Sequence, residues 1–306
     1  MNVDTQLQST LKELQRSTGL PLVLDEKQLL DPEWAVTQMR QVTNAYKEKY
    51  NAEFFLQNLL FGRVQTSDIE KYATRLHIDV KVRRCLFLVE VKTWERESIL
   101  EVLKNLFSSR SKQYLFYVDH QNIAFMKTVR EQETQKDMEQ IARMIVDTLN
   151  MEVMTHVRVS YGVFFRELAK LPEYYQENRL ALRIGDLFYS EQNTIFACHL
   201  GIGRLVYELP RTLCRAFLEE VFGKSDVECL DEETYITLNK FFDNNLNIAE
   251  TSRKLHIHRN TLIYRLEQME RRTGLDVRTF QDAMTLKIAM MIKNCLDIEG
   301  RMDENE

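Results

Sequence analysis

The apolar positions of this chain change period along its length, and each change marks a region. Near the N-terminus Leu7, Leu11 and Leu14 recur at helical spacing, and Asp31-Pro32-Glu33 has the order of an N-cap followed by proline in a first turn. Residues 1–75 are therefore expected to be helical. Further along, Val36, Met39, Thr43, Tyr46 and Tyr50 alternate spacings of three and four, which reads as one buried face or as a short dimerising seam. From Arg84 the period shortens. Cys85 to Val89 form a continuous apolar run between charged segments, the pattern of a central strand. A helix follows over 95–107. The apolar runs 113–118 and 123–126 then flank Asp119-His120-Gln121-Asn122, a hairpin with polar turn residues. A helix over 131–149, a strand over 157–163, a helix carrying Tyr174, Tyr175, Leu180 and Leu182, and a strand over 194–197 complete the series. The order β-α-β-β-α-β-α-β predicts a sheet with helices packed on one face.

Residues 199–224 return to helical spacing, with Leu205, Leu209, Leu213, Phe217, Leu218 and Val221 in phase, and are expected to form a connector packed on the sheet. Ser225-Asp226-Val227-Glu228 is the expected boundary. Beyond it three short helices follow in quick succession. The first runs over 233–244, with Leu238, Phe241 and Phe242 inward. Asn247-Ile248-Ala249-Glu250 then has the pattern of a capping box, Asn247 accepting from the third helical amide and Glu250 reaching back to the cap amide. Along that helix Ile248, Ser252 and Leu255 share a face, with small Ala249 beside them permitting close approach. His256-Ile257 is the turn. A third helix begins near His258, which is placed as its cap, and buries Leu262, Leu266 and Met269. The fold class is thus α+β and helix-rich, divided into an N-terminal helical region over 1–78, a β-α-β-β-α-β middle domain with its helical connector over 79–224, an all-α helix-turn-helix domain over 229–296, and an acidic tail over 297–306.

Composition sharpens the picture. The 306 residues are 44% hydrophobic, enough for a core in each domain, and only 9 Gly and 4 Pro argue against long flexible linkers. The formal charge of −5 is uneven: residues 234–295 hold ten Lys or Arg against six Asp or Glu, an excess of +4 that leaves −9 on the rest. A basic module on an acidic body suggests one DNA-facing end. Cysteines 85, 198, 214, 229 and 295 form no CxxC pair and read as small core residues in a reducing compartment. Cys85 and Cys198 fall in expected strands and should be buried, although a redox sensor remains an alternative. The polar, acidic start Met1-Asn2-Val3-Asp4 and the lack of any run near ~18 apolar residues predict a cytoplasmic protein without membrane contact. Trp34 and Trp94 read as core or boundary aromatics.

The side of the third helix opposite Leu262 carries Asn260, Thr261, Tyr264, Gln268 and Arg271, with Arg259 at the N-terminal end. Asparagine can bond bidentately to adenine, arginine to guanine, and a threonine methyl can meet that of thymine; each bidentate pair contributes ~1–3 kcal/mol of discrimination. Arg259, Asn260, Thr261 and Tyr264 are the expected base contacts. Arg253, Lys254, Arg265, Arg271 and Arg272 are the expected phosphate contacts. The stretch from Lys254 to Leu266 contains no acid, which distinguishes it from an ordinary helical hairpin.

These residues carry a resemblance. Asn247-Ile248-Ala249-Glu250, Leu255, Ile257-His258-Arg259-Asn260-Thr261-Leu262 and Tyr264-Arg265-Leu266 look like the Fis-like helix-turn-helix of PucR/CdaR-type regulators of purine catabolism and sugar-diacid utilisation. Upstream, Val157 to Gly162, Leu171-Pro172-Glu173-Tyr174-Tyr175, Ala181-Leu182-Arg183-Ile184-Gly185 and His199-Leu200-Gly201-Ile202-Gly203-Arg204-Leu205 are similar to the family's GGDEF-like middle domain. The resemblance implies a transcription regulator, an activator by analogy, with the middle domain as a dimerisation or signal-relay platform. Double-stranded DNA is the expected partner, a homodimer or higher homo-oligomer the expected state, and an unknown small-molecule effector is compatible with it.

Rival chemistry is weak. An active cyclase of this fold would need glycines and acids at the central hairpin, where this chain has Asp119-His120-Gln121-Asn122; Glu90, expected just after the first strand, is one carboxylate without that turn. His256 and His258 lack further ligands for a metal, and Gly201-Ile202-Gly203 lacks the glycine and lysine of a phosphate loop. No catalytic residue, metal or cofactor is expected. The alternatives are a helix-turn-helix that docks on another protein and a residual nucleotide-cyclase-like enzyme.

Overall fold

The structure, a computed structural model, describes residues 3–18, 22–23, 32–91, 96–107, 113–189, 191–223 and 231–303. The chain divides into two compact units, Met1–Leu182 with Glu191–His199, and Arg183–Ser190 with Leu200–Glu306. The proposed cap Asp31, together with Trp94, Cys229, the boundary residues 225–228 and residues 304–306 of the tail, lies outside the described residues.

The first unit opens with α1 (Val3–Thr18) and α2 (Pro32–Tyr50). Val36, Met39 and Thr43 are buried, and the first two pack with Leu7, Leu14 and Ala35. The first three positions of the row read as a seam or a buried face are therefore buried within the chain. Trp34 is half exposed. Two shorter helices follow, α3 (Ala52–Leu60) and α4 (Thr66–Arg75).

The sheet alternates β1 (Arg84–Val91), α5 (Arg96–Leu106), β2 (Gln113–Tyr117), β3 (Asn122–Thr128), α6 (Gln135–Glu152), β4 (Val157–Tyr161), α7 (Leu171–Phe188) and β5 (Thr194–Phe196). Its strand order is β2-β3-β1-β4-β5, antiparallel except for the parallel pair β4-β5. One face places Cys85, Phe87, Val89, Phe125 and Val159 against Ile99 and Leu103 of α5 and Met138, Ala142, Ile145 and Leu149 of α6. The other face is buried as well. Leu86, Leu88, Ala124, Met126 and Ser160 are sealed from water, and Gln57 of α3 donates from Nε2 to the Tyr117 carbonyl at 3.0 Å. A Cβ at Gly162, after β4, would lie 3.1 Å from Nδ2 of Asn178 on α7, so that helix approaches the sheet closely. Cover on both faces replaces the expected cover on one, and the reason is visible in β1. A strand apolar at five successive positions, Cys85 to Val89, has no side to give to water there.

At the hairpin, Asp119 Oδ1 accepts from the amides of Gln121 at 2.8 Å and Asn122 at 2.9 Å, which closes the turn without glycine. Glu90 lies inside β1, opposite Asn122 and Arg158, rather than after the strand. Cys85 is buried, and its thiol is pushed up to about 12 by burial. Cys198 differs from expectation: it follows the short β5 and is exposed.

The second unit contains α8 (Ile202–Tyr207), α9 (Arg211–Phe222), α10 (Glu232–Asp243), α11 (Ile248–Lys254), α12 (Arg259–Thr273) and α13 (Phe280–Asp303). Val206, Cys214, Leu218, Val221 and Phe222 share a core with Leu238, Phe241, Leu262, Leu266, Met269 and Leu286. The connector, expected to belong with the sheet, thus shares its core with the C-terminal helices. Proline explains the difference. Pro210 caps α9 and separates it from α8, so Leu205, Leu209 and Leu213 do not lie on one continuous helix; Leu205 and Leu213 are exposed. Gly203 has a packing role, since a Cβ there would stand 2.9 Å from Ile184 Cγ2. The acidic tail begins as helix, because α13 continues to Asp303.

Candidate nucleic-acid interface

The site is assembled by caps and turns before any exposed side chain matters. Asp231 starts α10, its Oδ1 accepting from the Thr234 amide at 2.8 Å; hydrogen bonds from Thr234 hold this carboxyl below the usual carboxylate range. The helix closes through Asn245 (φ 52°) and Leu246 (φ 60°), whose amides return to the carbonyls of Phe242 and Phe241. Asn247 then caps α11, accepting from the Glu250 amide at 3.1 Å.

Only half of the expected capping box forms. The Asn247 amide already donates to the Asn244 carbonyl at 3.0 Å, so Glu250 has no orphan donor to reach and pairs instead with Arg253. Thr251 and Ser252 are the buried small residues of α11, whereas Ala249 is exposed. The helix ends with the His256 amide on the Arg253 carbonyl at 3.2 Å and the Ile257 amide on the Ser252 carbonyl at 3.0 Å. His256 occupies the left-handed region at φ 54°. This pair of bonds fixes the turn between the helices. His258 follows as the cap of α12, with Nδ1 accepting from the Asn260 amide at 3.2 Å.

Along α12 Leu262, Leu266 and Met269 are 0%, 2% and 2% exposed and fix which side faces the core. Arg259, Asn260, Thr261 and Arg271 are exposed, as is Tyr264 at 57%. These side chains present amide, guanidinium and hydroxyl groups, next to helical amides that favour anions. Arg259 makes no ion pair among the described residues.

The cations divide into two sets. Arg271 is exposed in the last turn of α12, as is Arg272, whose charge also acts on the Asp231 carboxylate. Arg253 and Lys254 are exposed but engaged: Arg253 pairs with Glu250, and Lys254 donates to Asn244 Oδ1 at 2.7 Å. Arg265 departs furthest from its expected role. Its side chain is 25% exposed, donates to Thr237 Oγ1 at 3.1 Å and pairs with Glu233, so it braces α12 to α10. Its flanking position beside Leu262 and Leu266 on the helical wheel signalled partial burial but not these partners. Arg278 is likewise tied down by Asp276 at 2.6 Å and Glu270 at 2.7 Å. Among the described residues no cluster of three or more His, Cys, Asp or Glu is arranged to hold a metal, and no helix is long and apolar enough to cross a membrane.

Residues 235–292, which contain α11, α12 and most of α10, match the PucR C-terminal helix-turn-helix domain, and residues 61–184 match a GGDEF-like domain. The chain combines the two domains of PucR/CdaR-type regulators. The PucR-type helix-turn-helix accounts for α10 to α13, and the GGDEF-like domain takes in α4 as well as most of the sheet. The chain is 24% identical over 232 residues to an uncharacterized protein of Bacillus subtilis, YsfB, covering 75% of this chain and 60% of that one. It is 24% identical over 245 residues to the carbohydrate diacid regulator of Escherichia coli, covering 74% and 61%. To the purine catabolism regulatory protein of Bacillus subtilis it is 32% identical over 124 residues, covering 38% and 22%. It therefore spans at most about three-fifths of the length of these relatives.

Proposed function

We propose that the chain is a sequence-specific DNA-binding transcription regulator of metabolic genes that reads the major groove through α12. The observation that carries this is the two-sided character of that helix: one stripe is buried completely, and the opposite side gives Arg259, Asn260, Thr261 and Tyr264 to solvent at its N-terminal end. These four are the proposed base contacts. Arg253, Lys254, Arg271 and Arg272 are the proposed phosphate contacts, with Arg265 reassigned to bracing. The PucR-type domain match and the regulatory functions of two relatives support the same reading.

One helix contacts few base pairs, so a homodimer or higher homo-oligomer on paired half-sites is part of the proposal. We read the chain as a cytoplasmic activator without enzymatic activity, responsive to a small-molecule effector. The glycine-free turn at Asp119 to Asn122 supports the non-enzymatic reading.

Selection of bound fragments from a genomic library tests the proposal. The protein should enrich a two-fold symmetric sequence, Asn260→Ala should lose that enrichment while melting as wild type does, and affinity should fall steeply with added salt as counterions are released. Binding that ignores salt, or no enrichment by a folded protein, favours a helix-turn-helix that docks on another protein.

A further inference from the structure

A cavity of about 630 Å³ lies in the sheet-bearing unit. It sits where β1 and β2 begin and β3 ends, the far end of these strands from the turn at Asp119. Its size falls in the range of small-molecule sites, roughly 300–1,000 Å³. Phe107, Ile141 and Met144 give it an apolar wall, and Arg84, Tyr114 and Arg130 line it with donors.

The charges around it do not balance locally. Lys127 is neutralised by Glu133 at 2.6 Å, and Glu133 also accepts from the Arg130 amide at 2.6 Å. Arg84 is different. It is 1% exposed, yet its Nη1 and Nη2 donate only to the neutral carbonyls of Val82 and Asp79, and its Nε has no hydrogen-bond partner among the described residues. No carboxylate forms an ion pair with it among those residues, and Arg130 at the exposed rim is unpaired too. The Asp79 carboxylate acts on Arg84 without forming an ion pair with it, and a buried guanidinium with no directly bonded counter-ion is costly, so its field acts across the adjacent cavity.

We infer that this cavity binds a small organic monocarboxylate with an apolar body, its charge toward Arg84 and Arg130 and its body against Phe107, Ile141 and Met144. A dianion such as phosphate fits less well, because Asp79 and Glu133 also line the cavity and only the two arginines are available to balance it.

Phenylacetate is the probe, added to the full chain in titration calorimetry and thermal unfolding without DNA, so that failure here and failure of the DNA-binding reading are separate results. Saturable binding is expected with Kd on the order of 1 mM or tighter, and the transition temperature should rise with probe concentration. The neutral analogue 2-phenylethanol and inorganic phosphate should bind about tenfold more weakly or worse. Arg130→Ala, at the exposed rim, keeps the fold and weakens phenylacetate binding by about tenfold; Arg84→Met, where it folds, abolishes it. The inference is overturned by absence of saturable phenylacetate binding up to about 10 mM, by phosphate binding as tightly as phenylacetate, or by wild-type affinity in folded Arg130→Ala.

Discussion

Strand β1 and helix α12 each organise one unit, and they differ in how much of themselves they give to the core. From Cys85 to Val89 every residue of β1 is buried, because helices cover both faces of the sheet. Helix α12 buries one stripe and leaves the opposite side to water. A side chain committed to packing on all sides has no valence left for a partner. In the sheet unit, groups able to meet a ligand therefore appear at the strand ends, where Arg84 and Tyr114 line a cavity. In the helical unit they lie on the exposed side of the same helix whose other side is buried.

The largest effects should come from the two buried stripes. Phe87 packs on the rings of Phe125 and Tyr161 at 5.4 and 6.2 Å, and Phe87→Ala should cost about 3–5 kcal/mol; Leu262→Ala should cost about 2–5 kcal/mol. The variants should diverge in function. Below its lowered melting transition Phe87→Ala retains specific DNA, since the face of α12 is untouched, whereas Leu262→Ala loses fold and DNA together. Melting curves run beside DNA retention decide this, and loss of DNA by Phe87→Ala with the helical unit still folded would erase the contrast.

The exposed side of α12 should show the opposite signature. Asn260→Ala should lose about 5- to 150-fold in specific affinity, the equivalent of ~1–3 kcal/mol of base discrimination, while stability stays within about 0.5 kcal/mol. The arginines sharpen the test. Arg271→Ala should reduce the salt slope of DNA binding by about one without touching sequence preference. Arg265→Ala should leave that slope alone and lower the melting temperature, because its partners are Thr237 and Glu233. A reduced slope in Arg265→Ala returns it to the phosphate set.

How legible each region was in the sequence follows from the same contrast. The stripe Leu262, Leu266, Met269 and the central strand Cys85 to Val89 are statements of period, and period survives folding. The polar turn at Asp119 was readable because its closure is local. Long-range outcomes were not. That α8 and α9 join the C-terminal core depends on Pro210 breaking an apparent single stripe, and that Arg265 is spent on bracing depends on Glu233 and Thr237, about thirty positions away. The cavity beside Arg84 combines residues from three strand ends, the segments next to them and helix α6, a juxtaposition with no signature in any one segment.

Smaller effects separate the two halves of the expected capping box. Asn247 accepts a helical amide, so Asn247→Ala should destabilise the helical unit by about 1 kcal/mol. Glu250 meets only Arg253 and Lys254 at the surface, so Glu250→Gln should change stability by less than about 0.5 kcal/mol. Chemical denaturation resolves the pair. Equal losses would mean that Glu250 caps the helix in solution.

The remaining expected effect is a gain. His256 holds the turn between α11 and α12 at φ 54°, where a side chain costs roughly 1–2 kcal/mol and glycine costs little. Against this, glycine gives the unfolded chain freedom worth about 0.4–1 kcal/mol. His256→Gly should therefore stabilise the helical unit by a net amount between zero and about 1.6 kcal/mol, because the bonds that close the turn come from backbone amides that glycine retains. Specific DNA affinity should not change, since Arg259, Asn260, Thr261 and Tyr264 do the proposed reading. A stabilised variant that binds DNA tenfold more weakly would place the His256 imidazole on the DNA and extend the interface from α12 back into the turn.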